Sequence, residues 1–204
     1  MMSGQRYPNA DSRTYRMVSV IAKVLEQICL ASSTQISAEQ SCAEFTDLMF
    51  FSVRKPSISL CNYIHSLLRD ILSVSPSCLA YAVAILDNVQ KKNKGLSICE
   101  LNVNRLFVVA LIVSLKCLED NPVVPYSKLA VSGGFTRSEL FKLEVRLLQV
   151  LDWKCFVSPE QFNQYQTLLN LRADSIALDC KPLSLSDNIR EAIDTENRIV
   201  RSQT

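Results

Sequence analysis

At 204 residues, 48% hydrophobic and 21% charged, the chain can form one domain with appendages and is too apolar for wholesale disorder. Its 22 basic and 20 acidic residues leave a net charge of +2, which is no electrostatic footprint for nucleic acid. The four glycines (Gly4, Gly95, Gly133, Gly134) spell neither a dinucleotide fingerprint nor a P-loop, and a single histidine, His65, excludes multi-histidine metal sites.

In chain order, apolar spacing predicts two N-terminal helices, Thr14–Leu30 and Ala38–Phe50. Tyr63, Ile64, Leu67, Leu68 and Ile71 form a helical stripe within Ser59–Leu72. Ser75-Pro76 reads as a cap followed by a first-turn proline, opening a helix over Ser77–Gln90. Val103–Leu118 is apolar on nearly every side. Its valines and isoleucines suit a strand, but the segment is too long for one, and Asn102 stands ready as a cap, so a central buried helix is expected. Arg105 and Lys116 interrupt the run, leaving it too short to span a bilayer. A short helix follows at Tyr126–Val131. Thr136 and Glu139 spell a capping box for Arg137–Leu151, where Leu140, Leu143, Leu147, Leu148 and Leu151 form one stripe. Ser158-Pro159 opens a last helix, and the tail from about Leu171 is polar. The fold class is all-α.

Eight scattered cysteines contain no C-x-x-C, so neither a zinc knuckle nor a thioredoxin motif fits. The segment from Met1 to Asp11 is polar and has no apolar signal core. The thiols are therefore expected to be reduced, intracellular and mostly buried, behaving as small hydrophobes. Lys91, Lys92 and Lys94 read as a solvated helix end.

Two charges stand out. Lys116 follows almost three apolar turns, and Glu144 sits inside a leucine stripe. A charge on an apolar face needs a partner or a route to water. On two helices of one bundle, the pair offers an acceptor and three donors at the rim of a groove, suited to backbone groups of a partner. His65 has no nucleophile or base beside it in the pattern, and no catalytic constellation or cofactor site is expected.

The ordered set of short sequences resembles the cyclin box. Pro56-Ser57-Ile58-Ser59 opens the first box helix. Ser75-Pro76-Ser77-Cys78 opens the second, which ends Ile85-Leu86-Asp87. The third runs from Leu101-Asn102-Val103-Asn104-Arg105-Leu106 to Leu115-Lys116-Cys117-Leu118-Glu119-Asp120. Tyr126-Ser127-Lys128-Leu129-Ala130 and Gly133-Gly134 mark the fourth. Leu140-Phe141-Lys142-Leu143-Glu144 lies in the fifth, followed by Leu151-Asp152-Trp153-Lys154-Cys155 and Phe162. The order is most similar to the phosphate-pathway cyclins of fungi and the P- and U-type cyclins of plants and protists.

That resemblance implies a five-helix box over residues 51–170, an N-terminal extension over 1–50 with flanking helices, an extra helix after the box, and a polar tail over 171–204. It implies a regulatory subunit, not an enzyme, that binds and activates a cyclin-dependent protein kinase as a heterodimer in the cytoplasm, the nucleus or both. No nucleic acid, membrane, metal or small-molecule substrate is expected. Lys116 and Glu144 match the pair that hydrogen-bonds backbone near the kinase's αC helix. By position, Val113, Cys117, Leu148, Trp153 and Cys155 would add apolar contact. Relatives often pair an arginine of the first box helix with an aspartate of the second. Asp87 is present as the structural carboxylate, but Ser66 or Leu67 stands where that arginine would be. The departure keeps an alternative in view: a non-activating helical scaffold or adaptor with the same box.

Overall fold

Four of the helices begin where a serine or threonine side chain relieves one of the first free amides. The computed structural model describes residues 12–33, 45–71, 74–120 and 123–174. Seven α-helices fall within them: α1 (Ser12–Ser33), α2 (Leu60–Asp70), α3 (Pro76–Lys92), α4 (Val103–Leu118), α5 (Tyr126–Gly133), α6 (Arg137–Val150) and α7 (Pro159–Asp174). The described residues contain no strand. Ser59 accepts from the Asn62 amide (3.3 Å), Ser75 from Cys78 (3.2 Å), Thr136 from Glu139 (3.1 Å) and Ser158 from Gln161 (3.2 Å). Each contact satisfies one of the orphan donors at a helix start.

Asn102 departs from its expected role as a cap. Its side chain makes no capping bond to α4. Instead Oδ1 accepts from the Cys99 amide (2.8 Å) and Nδ2 donates to the Ser97 carbonyl (2.9 Å), closing the preceding turn. The Thr136–Glu139 box is half formed. The hydroxyl bond is present, but the Glu139 carboxylate turns to Arg105.

Ala38–Phe50 also needs correcting. Residues 34–44 lie outside the described residues, and Phe45–Phe50 is a six-residue 3-10 helix, not the end of an α-helix. Its fully buried Asp47 accounts for the difference: the carboxylate pairs with Arg146 of α6 (2.8 Å) and accepts from Asn93 Nδ2 just after α3 (2.7 Å). Those distant partners dictate the local backbone.

Helix α4 is the centre. Its residues from Val103 to Leu115 are buried apart from Arg105, and the one internal hydroxyl, Ser114, bonds back to the Ala110 carbonyl (2.7 Å). Helices α3, α6, α2 and α5 pack around it. Helix α1 lies across α2 and α3 and also packs against α7, which rests on α3. Met17, Val18, Ile21, Leu25 and Cys29 repeat at three and four residues and form the inner face of α1. Each such large side chain contributes about 1.5–3 kcal/mol when taken from water.

Helix α5 ends at Gly134, whose φ of +74° suits glycine. The Gly134 and Phe135 amides return to the Val131 (3.2 Å) and Ala130 (2.7 Å) carbonyls. Cys29, Cys61, Cys78, Cys99, Cys117 and Cys155 are all free thiols. No helix among the described residues is long and apolar enough to cross a membrane.

Candidate functional site

The end of α4 and the outer face of α6 meet at the two misplaced charges. Lys116 Nζ donates to Glu144 Oε1 at 2.6 Å. The two groups differ in access: the Lys116 side chain is 41% exposed and that of Glu144 only 3%. A third residue, not anticipated from sequence, completes the arrangement. The Tyr126 hydroxyl at the start of α5 donates to Glu144 Oε2 (2.6 Å), and the Lys116 ammonium lies 5.3 Å from the centre of the Tyr126 ring. Both carboxylate oxygens are thus engaged.

Partial burial by itself would lower the Lys116 pKa. The hydrogen bonds to Glu144 and Tyr126 together outweigh it and hold the ammonium above its ordinary value. Burial, and then the bond to Glu144, raise the Tyr126 phenol.

Phe141, Glu144 and Leu148 follow at three and four residues, so they share one face of α6, distinct from the inward face of Leu140, Leu143 and Leu147. Phe141 is exposed and Leu148 half-buried. On α4, Cys117 is exposed and Leu118 partly so. Val113 does not join them: it is buried in the core, because it belongs to the all-round apolar part of α4. It can act on a surface contact only by packing beneath it.

Beyond α6 the chain makes an unusual turn. Asp152 and Trp153 both have positive φ, 50° and 60°. The Trp153 amide donates to the Leu148 carbonyl (2.8 Å) and the Asp152 amide to Gln149 (2.9 Å), a Schellman end built without glycine. Each non-glycine residue held there costs about 1–2 kcal/mol. Lys92 of α3 offsets part of this, donating to the Leu151 carbonyl (2.9 Å) and pairing with Asp152 (2.5 Å). That pairing gives the lysine cluster a bracing role in addition to a solvated one. The turn leaves Trp153 65% and Phe156 78% exposed, with Cys155 half-buried between them. Burial raises the Cys117 and Cys155 thiols above their ordinary value.

Asp87 sits apart from this surface. It is buried on α3 and pairs with Lys91 one turn on (2.6 Å), and Tyr165 of α7 faces it. The brace therefore runs within α3 and toward α7. His65 stacks on Tyr15 of α1 (4.4 Å between ring centres), a packing role. The described residues contain no cluster of His, Cys, Asp and Glu fit to hold a metal ion.

Tyr126, Phe141 and Phe156 are the surface residues that sequence reasoning misses. Phe141 is recoverable, since its spacing to Glu144 and Leu148 is helical. Phe156 lies in a loop and Tyr126 at a helix start, where no periodicity marks them.

A sequence profile of the Cyclin family matches residues 15–155. Among curated relatives, Cyclin-U1-1 of Arabidopsis thaliana is 30% identical over 158 residues, covering 76% of this chain and 72% of the relative. Cyclin-P4-1 of Oryza sativa subsp. japonica is 26% identical over 160 residues, with the same shares, 76% and 72%. The Nuc-1 negative regulatory protein preg of Neurospora crassa is 30% identical over 131 residues, 64% of this chain and 27% of that protein. The all-α box and these similarities place the chain in the cyclin family, whose members are regulatory and not catalytic. Within that family it is of the P/U type.

Proposed function

We propose that this cyclin binds a cyclin-dependent protein kinase as a heterodimer and activates it through α4 and α6. The observation that carries the reading is the Lys116–Glu144 pair, at 2.6 Å, with exposed Phe141 on the same face of α6 as Glu144 and exposed Trp153 just past the end of that helix. Lys116 has three donors and spends them in part on Glu144 and Tyr126, so one remains for a carbonyl of a partner. A kinase reaches its active form when its αC helix is held inward and its own lysine–glutamate ion pair can form. A charged clamp with exposed aromatic side chains on α6 and just past its end suits such a role, since the charges set register and orientation and the aromatics supply most of the affinity.

The test is a pull-down from native extract with wild type and Lys116→Ala/Glu144→Ala, followed by assay of kinase activity in the eluates. Loss of a desolvated charge contact costs about 2–5 kcal/mol, so the double variant should lose at least about thirtyfold in kinase affinity. Unchanged binding would sink the reading. Asp87 pairs within α3 and not with α2, which favours one second reading, a scaffold that binds without activating. Kinase captured by wild type but left inactive would select it.

A further inference from the structure

We infer that Tyr81 is a positioning residue of the docking surface: its hydroxyl ties the strap after α6 to α3 and so fixes where Trp153 and Phe156 are presented. This rests on the kinase-docking reading above. Tyr81 is a buried side chain of α3, and its ring would pack equally well as phenylalanine. The hydroxyl, however, is fully used. It donates to the Cys155 carbonyl (2.9 Å) and accepts from the Val157 amide (3.2 Å). The exposed Phe156 lies between those two residues. The Cys117 thiol, next to Lys116 on α4, interacts with the same hydroxyl. One oxygen therefore joins the two halves of the surface, the end of α4 and the strap after α6.

The other end of the strap is held from the same helix. Lys92 grips Leu151 and Asp152. Tyr81 and Lys92 are three turns apart, hence on one side of α3 and about 16 Å apart along its axis. Trp153 and Phe156 emerge from the stretch between the two clamps. A strap fixed at both ends has little freedom left to lose when a partner docks, which favours binding.

The test uses the full chain. Tyr81→Phe keeps the ring and removes only the oxygen, and circular dichroism checks that the helices persist. Amide hydrogen exchange of Val157 should speed up by at least about tenfold, while amides within α3 are unchanged. Affinity for a cyclin-dependent kinase captured on the wild-type chain should fall about three- to tenfold, chiefly through faster dissociation. On a Trp153→Ala background the same substitution should add almost nothing, which a general loss of stability would not reproduce. Unchanged Val157 exchange overturns the inference, and so does faster exchange with unaltered affinity. Should Tyr81→Phe fold poorly, the wild-type chain decides: the Val157 amide must exchange more slowly than that of Phe156, and equal rates overturn the inference. A wild-type chain that binds no kinase overturns the docking reading itself, an outcome distinct from either failure.

Discussion

Glu144 is almost closed to solvent, so it cannot meet a partner unless Lys116 or Tyr126 moves. In the free chain its work is to hold those two in place. Lys116→Ala should therefore destabilise the protein by about 1–3 kcal/mol, because a buried carboxylate loses a charged partner. Lys116→Ala/Glu144→Gln should recover part of that loss, and urea unfolding of the two variants checks the order. Tyr126→Phe should cost about 1–2 kcal/mol by the same assay. The two charges are legible in the sequence as interruptions of apolar stripes. Tyr126 is not, because a tyrosine at the start of a short helix breaks no pattern. The spacing of Val113 to Lys116 and Cys117 suggests the surface, yet the breadth of the apolar run around it already points inward.

Local rules govern the elements where local chemistry is strong. The bounds of α4 match the sequence reading at Val103–Leu118, since a run apolar all round and too long for a strand leaves one solution. The serine and threonine caps of α3, α6 and α7 are likewise visible. The 3-10 helix escapes a local reading because what shapes it is far away: Asp47 and Arg146 are 99 residues apart. That carboxylate is a joint between three elements, the 3-10 helix, α6 and the turn after α3. Asp47→Ala removes the shared acceptor of Arg146 and Asn93 and should cost about 3 kcal/mol or more. Asp47→Asn should cost less, since an amide oxygen can still accept from Arg146. Thermal unfolding of both variants tests the joint, and equal effects would assign the whole loss to the charge, since asparagine keeps the packing and an acceptor.

At the scale of the whole molecule, the amphipathic stripe of α1 is visible in the sequence but its partners are not. Nothing in Thr14–Leu30 names α2, α3 and α7 as the surfaces it covers, because helix pairing depends on long-range geometry and not on the period of one segment. Covering those surfaces also buries thiols, and this gives the protein a characteristic pH response. Burial, reinforced by the nearby Cys99, Glu100 and Glu26, pushes the Cys29 thiol up to about 12. Burial likewise raises Cys78 and Cys99. In the unfolded chain these thiols ionise near their ordinary value of about 8.5. A raised folded pKa means the unfolded state loses its proton first. The stabilising contribution is then complete below the ordinary thiol value and declines as pH rises toward the folded one. Lys116 and Tyr126, also raised, are lost in the same direction above about pH 10. The urea midpoint should thus be level to about pH 8.5 and fall steadily to about pH 11. Cys29→Ala should reduce that slope by up to one proton, about 1.4 kcal/mol per pH unit, because the Cys29 thiol stays protonated in the folded chain across that whole range. Identical slopes for wild type and Cys29→Ala between about pH 9 and 11 would show that this thiol does not carry the alkaline sensitivity.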